Sequence, residues 1–146
     1  MKTMKLFSLG MLLTAATLFT GCSGGTTSKT PLGITKELCS YLEKGDYETH
    51  FKKELEYWTD EKKSLIPERE QQQYLQNMPK VFMDVVTKER GGYKQITIEE
   101  DEDSTDDKVY IHVFYLYNND KKFDEWYTFV KTDNGWRIQK RGNRKN

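Results

Sequence analysis

Apolar positions along this chain fall into three regimes, and each change of period marks a boundary. From Leu6 to Phe19 the chain is almost unbroken in its apolar character; from Ile34 to Val85 apolar residues recur at steps of three and four; from Tyr93 onward they alternate. The middle regime predicts helices. Thr30-Pro31 supplies an N-cap and a first-turn proline, Ile34, Leu38, Tyr41 and Leu42 follow at helical spacing, and Gly45 ends the first helix. Asp46 caps a second, where Tyr47, Phe51, Leu55 and Trp58 form one stripe expected to face a core. Thr59 to Leu65 reads as a charged, polar connection. A third helix starts at Pro67 with acids in its first turn and continues through Leu75, Met78, Phe82 and Val85. Pro79 lacks an N–H and crowds the preceding turn, which predicts a kink or short break near Met78.

Gly91-Gly92 closes the helical half, and β-branched and aromatic residues then take over at period two. Four strands are expected, roughly 94–99, 108–117, 122–131 and 135–140, with Asn118-Asn119-Asp120 and Asp133-Asn134-Gly135 as turns. All connections are short, so the sheet should be an antiparallel meander. In the second strand Val109, Ile111, Val113, Tyr115 and Tyr117 make the better core face. The opposite face, with Tyr110, His112, Phe114 and Leu116, is unusually apolar for a solvated one. The fold class is therefore α+β: three N-terminal helices packed on a curved four-stranded antiparallel meander.

The first regime has another meaning. Lys2 and Lys5 precede the apolar run, and Gly, Ser and Thr follow it too soon for a helix spanning ~30 Å of hydrocarbon, which needs about 20 apolar residues. This is the pattern of an export signal. Leu18-Phe19-Thr20-Gly21-Cys22 resembles the bacterial lipobox, which implies processing after Gly21 and a diacylglycerol on the Cys22 thiol. The organisation expected is a lipoprotein signal peptide over 1–21, a lipidated cysteine and flexible tether over 22–30, and a single domain over 31–146. Ser23, a non-acidic residue after the cysteine, resembles the sorting signal for the outer membrane, so the expected address is the cell envelope.

Charge and cysteine count narrow the classes. Without its two signal lysines the chain carries 21 basic against 23 acidic residues, which argues against nucleic acid as a partner. Once Cys22 is acylated only Cys39 remains, so the domain is held by its core and not by disulfides.

Tyr41-Leu42-Glu43-Lys44-Gly45-Asp46-Tyr47 at the first helix junction and Gly135-Trp136-Arg137-Ile138 in the last strand carry a resemblance. The chain resembles small bacterial lipoproteins of the nuclear transport factor 2-like (cystatin-like) superfamily, including a lumazine-binding-like group of unknown function. The resemblance implies a cone with a pocket between helices and concave sheet, and a tendency to pair through the sheet. The superfamily hosts dehydratases, isomerases, ligand carriers and interaction modules, so fold alone does not choose among them.

Candidate residues follow. Trp58, Tyr115, Tyr127, Phe129 and Trp136 could line an apolar pocket with phenol and indole handles, suited to a small apolar ligand. Tyr110, His112, Phe114 and Leu116 form a candidate interface for a second copy or an envelope partner. His50 lies one residue off the helical stripe and is expected to border the core at the surface; Glu125 is expected outward or at the rim; Asp46 reads as a cap and Cys39 as a small packed side chain. Seven acids lie between Glu99 and Asp107, and Asp101, Asp103 and Asp106 are weak calcium candidates without a glycine for an EF-hand turn. No cofactor and no catalytic residue is indicated. The reading is a membrane-anchored, non-catalytic ligand- or protein-binding domain; the alternative is an envelope enzyme of dehydratase or isomerase type using the cone pocket.

Overall fold

The computed structural model describes residues 29–143. The expected export signal, the expected lipidation site Cys22 and most of the expected tether lie outside the described residues. Helix α1 (Pro31–Glu43) begins as its sequence requires: the Thr30 hydroxyl accepts from the Gly33 N–H and proline occupies the first turn. A left-handed Gly45 turns the chain, and Asp46 caps α2 (Tyr47–Tyr57) by accepting from the Thr49 N–H. The stretch read as a polar connection contains a further short helix, α3 (Asp60–Leu65), capped by the Thr59 hydroxyl and contributing no buried residue. Its apolar content is too low for the periodic signal to register.

Of the kink or short break expected near Met78, the break is absent: helix α4 (Glu68–Phe82) is continuous through Pro79. The irregularity comes after Phe82, where the chain widens into a π-helical segment (Met83–Glu89). That segment buries Val86 and brings the Thr87 hydroxyl within 2.8 Å of the Tyr47 phenol. Gly91 and Gly92 then turn at φ of 75° and 86°, and a Cβ on Gly91 would press against Asn118 at 3.3 Å. The Asn118 amide donates to the Gly91 carbonyl, tying the start of the sheet to its second hairpin.

The sheet is the expected meander, in the order β1 (Tyr93–Glu100), β2 (Lys108–Tyr117), β3 (Lys122–Thr132) and β4 (Gly135–Gly142). Val109, Ile111, Val113, Tyr115 and Tyr117 are all buried on its concave face, where they meet Ile34, Leu38, Phe51 and Trp58 from the helices. The end of α2 is pinned directly to the sheet, since the Thr59 N–H donates to the Ile138 carbonyl. No helix among the described residues is long and apolar enough to cross a membrane.

Two bulges decide what enters the concave face. In β1 the partners step from Tyr93↔Tyr117 to Gln95↔Leu116, so Lys94 is the extra residue and both Tyr93 and Ile96 face inward. In β4 they step from Thr128↔Lys140 to Phe129↔Ile138, so Gln139 is extra and both Ile138 and Arg141 face inward. A bulge re-aims the side chains beyond it. Strict alternation from Ile138 would have sent Arg141 outward.

Candidate functional site

Between the helices and the concave sheet lies a cavity of about 510 Å³. Its walls are aromatic: Phe51 from α2, Tyr74 and Phe82 from α4, Tyr93 from β1 and Phe123 from β3. Phe51 packs edge-on against Tyr74 at 5.5 Å and Phe82 at 4.8 Å, so the helical wall is one interlocked aromatic cluster. The floor is ionic. It is built from Glu54 of α2, Glu125 of β3 and Arg141 of β4, with His50 and Tyr115 beside them.

Arg141 organises this floor. Its Nε and Nη2 donate to the two oxygens of Glu125, each at 2.8 Å, in the bidentate fork that matches guanidinium to carboxylate. Nη1 donates to Glu54 Oε2 and to His50 Nε2, the latter at 3.2 Å. His50 Nδ1 donates to the Leu38 carbonyl at 2.8 Å, which assigns the imidazole proton to Nδ1 and leaves Nε2 as acceptor. The Tyr115 hydroxyl donates to Glu125. The Tyr127 ring lies 5.1 Å from the guanidinium and supports it from the core side.

The electrostatics follow from burial opposed by pairing. Desolvation alone would raise the Glu54 carboxyl, but the neighbouring Arg141 charge holds it down at about 2. Arg141 is raised above its ordinary value because its two carboxylates outweigh the cost of burying it. Burial and the Glu125 charge push the Tyr115 phenol well up, so it remains a neutral donor. Among these groups, Glu54 and Arg141 stay charged and Tyr115 stays protonated near neutral pH.

The residues foreseen for the pocket divide. Trp58 and Tyr115 line the cavity; Tyr127 and Phe129 are fully buried in the core, and Trp136 packs partly buried against that core outside the cavity. Two expectations are overturned. His50 is 0% exposed instead of bordering the surface, and Glu125 is 6% exposed instead of lying outward or at the rim, placed on the concave face by its register opposite Val113; both bond Arg141. Cys39 is buried as expected, and burial pushes its thiol up to about 12, the value of an inert side chain.

Glu54, Arg141 and Lys62 were missed. Glu54 had a signal: Tyr47, Phe51, Glu54 and Trp58 also lie at steps of four, three and four, and His50 precedes Glu54 by one turn. The acid sits on the buried stripe where Leu55, only partly buried, had been placed.

The other candidates lie apart from the cavity. On the convex sheet face Phe114 is 37% exposed, while Tyr110, His112 and Leu116 are half-buried. His112 stacks on Trp126 at 3.8 Å and its Nε2 donates to Asp124 at 2.7 Å. In the acidic loop the Asp103 N–H donates to the Asp101 carboxylate. Among the described residues no group of three or more His, Cys, Asp or Glu side chains could hold a metal ion, so Asp101, Asp103 and Asp106 do not converge on a calcium site.

No protein-family profile matches this chain, and no curated protein matches it. A crystal structure does: a protein from Campylobacter jejuni described as an NTF2-like transpeptidase, similar at 23% identity with a TM-score of 0.55, over 77% of this chain and 99% of that one. Likeness at that identity concerns fold. The chain is an α+β protein with the NTF2-like cone.

Proposed function

We propose that the protein is a lipid-anchored component of the bacterial cell envelope whose cone binds a small molecule without transforming it. The observation that carries this reading is the cavity itself: about 510 Å³ of aromatic wall above a floor whose charged groups are already partnered. That size and lining suit a small ligand. A general base needs a lone pair free to take a proton at working pH. Glu54, held at about 2, is a weak base, and the Nε2 lone pair of His50 is occupied by Arg141. For the dehydratase or isomerase alternative, neither Glu54 nor His50 is therefore free to act as the base. Acyl transfer through a serine, threonine or cysteine nucleophile lacks its side chain, because no Ser, Thr or Cys is among the described residues that line the cavity.

The test is what the protein carries. The protein purified from membranes, unfolded and extracted, should release one small molecule in near-stoichiometric amount, seen by mass spectrometry. Met78→Trp, which fills the cavity, should release little. Phe114→Arg on the convex face should release as much as wild type and should lower the molar mass in light scattering, since that half-apolar face is the proposed contact with a second copy. A wild-type extract with no such molecule, or equal release from Met78→Trp, would defeat the ligand reading.

Anchoring rests on the apolar run that ends in Thr20-Gly21-Cys22 and on the polar stretch after it. Three acyl chains, at ~0.8 kcal/mol per buried methylene, would hold a protein to a bilayer for its lifetime. Cells fed a clickable fatty acid should label wild type and not Cys22→Ala. Equal labelling of both would remove the anchor.

A further inference from the structure

The cations of the cavity are unequally served. Arg141 is consumed by Glu54 and Glu125 through four hydrogen bonds to carboxylate and imidazole acceptors. Lys62, on α3 and also lining the cavity, has no carboxylate within salt-bridge distance among the described residues; its ammonium lies 4.3 Å from the centre of the Trp58 ring. Burial lowers its pKa, with the Glu54 charge acting against that. Its neighbour Lys63, by contrast, donates to the Glu56 carbonyl outside the cavity.

Trp58 is buried, yet among the described residues its indole N–H meets no acceptor, and an unpaired buried donor forfeits roughly 1–3 kcal/mol. Arg141 has five N–H groups and uses four of them. At the floor both Glu125 oxygens and Glu54 Oε2 already accept from Arg141. A ligand that complements this cavity brings acceptor oxygens, negative charge for Lys62, and a flat apolar body for the aromatic walls.

We propose that the cone selects a planar aromatic carboxylate, its ring held between the aromatic walls and its carboxylate paired with the Lys62 ammonium. This rests on the ligand-binding reading above and adds the ligand's charge and shape. A cationic ligand of the same shape would meet repulsion from Lys62, and an ammonium over an indole face gains less than one that also meets a carboxylate.

Three isosteres test it: 2-naphthoate, 2-naphthamide and 2-naphthylmethylamine, titrated calorimetrically into the full processed protein in detergent. Naphthoate should bind about 10-fold more tightly than the amide, which corresponds to ~1.4 kcal/mol, and more tightly still than the amine. Lys62→Met should remove the preference for naphthoate while leaving the amide within about twofold of its wild-type affinity. Lys62→Gln serves if the methionine variant fails to show a wild-type melting transition. Equal affinities for the three probes, a preference for the amine, or a preference for naphthoate that survives loss of Lys62 would overturn the inference while leaving the cavity a binding site. Absence of binding by all three, together with an empty extract from the purified protein, would remove both.

Discussion

Arg141→Met should be the most damaging single substitution at the cavity floor, costing roughly 3–5 kcal/mol at neutral pH, because it leaves two buried carboxylates without their shared cation. Two effects set the size. Glu54 is held from 4.5 down to about 2, and a shift of that extent corresponds to roughly 3 kcal/mol of preference for the ionised, folded state. The bidentate bonds to Glu125 are lost as well. The sign of the pH dependence distinguishes charge from packing. In wild type the Glu54 contribution is fully present above the unfolded carboxyl value of about 4.3 and is lost as pH falls through about 2. In the variant, burial without Arg141 drives the same carboxyl upward, so the variant loses stability as pH rises past the unfolded value. The gap between the two proteins should be widest near pH 7 and should narrow toward pH 4, read as urea midpoints at each pH. Arg141→Lys, which keeps the charge and loses the fork, should fall between them. A gap that stays constant from pH 8 to pH 4 would show that Arg141 acts through packing alone.

This same residue shows where the sequence stops being legible. The meander, the order of the elements and the inward face of β2 were all readable, because period two and tight-turn residues report strand and face directly. The bulges at Lys94 and Gln139 leave no such trace, since each is set by pairing with the neighbouring strand. Two cavity residues, Tyr93 and Arg141, owe their direction to them. Arg141 therefore went unremarked in the sequence. Glu54 went unremarked and Glu125 was expected outward or at the rim for a related reason: a carboxylate inside an apolar pattern is costly unless its partner is known, and the partner came from 16 residues away for Glu125 and 87 for Glu54. Asp46, whose bond is to a backbone three residues on, was legible as a cap. Local chemistry was visible, and long-range chemistry was not.

Phe51→Ala should destabilise the protein by roughly 3–5 kcal/mol, the usual cost of deleting a large buried aromatic side chain. Phe51 is 1% exposed and sits where α2 meets α4, with its ring edge-on to His50 at 4.8 Å, Phe82 at 4.8 Å and Tyr74 at 5.5 Å. The walls around the void belong to different elements, so neighbouring side chains can close it only by drawing α4 toward α2, and the cost should lie toward the upper part of that range. Phe123, 42% exposed on the opposite wall, gives the contrast, because Phe123→Ala removes a surface of the cavity without emptying the core. It should leave the urea midpoint near wild type and weaken binding of an aromatic probe. Phe51→Ala should lower the midpoint with the m-value unchanged, the mark of lost stability in an otherwise intact fold. Midpoints that are indistinguishable for Phe51→Ala and Phe123→Ala would mean that the helical wall is held by α1 and the sheet without Phe51, and that the aromatic cluster serves the ligand and not the fold.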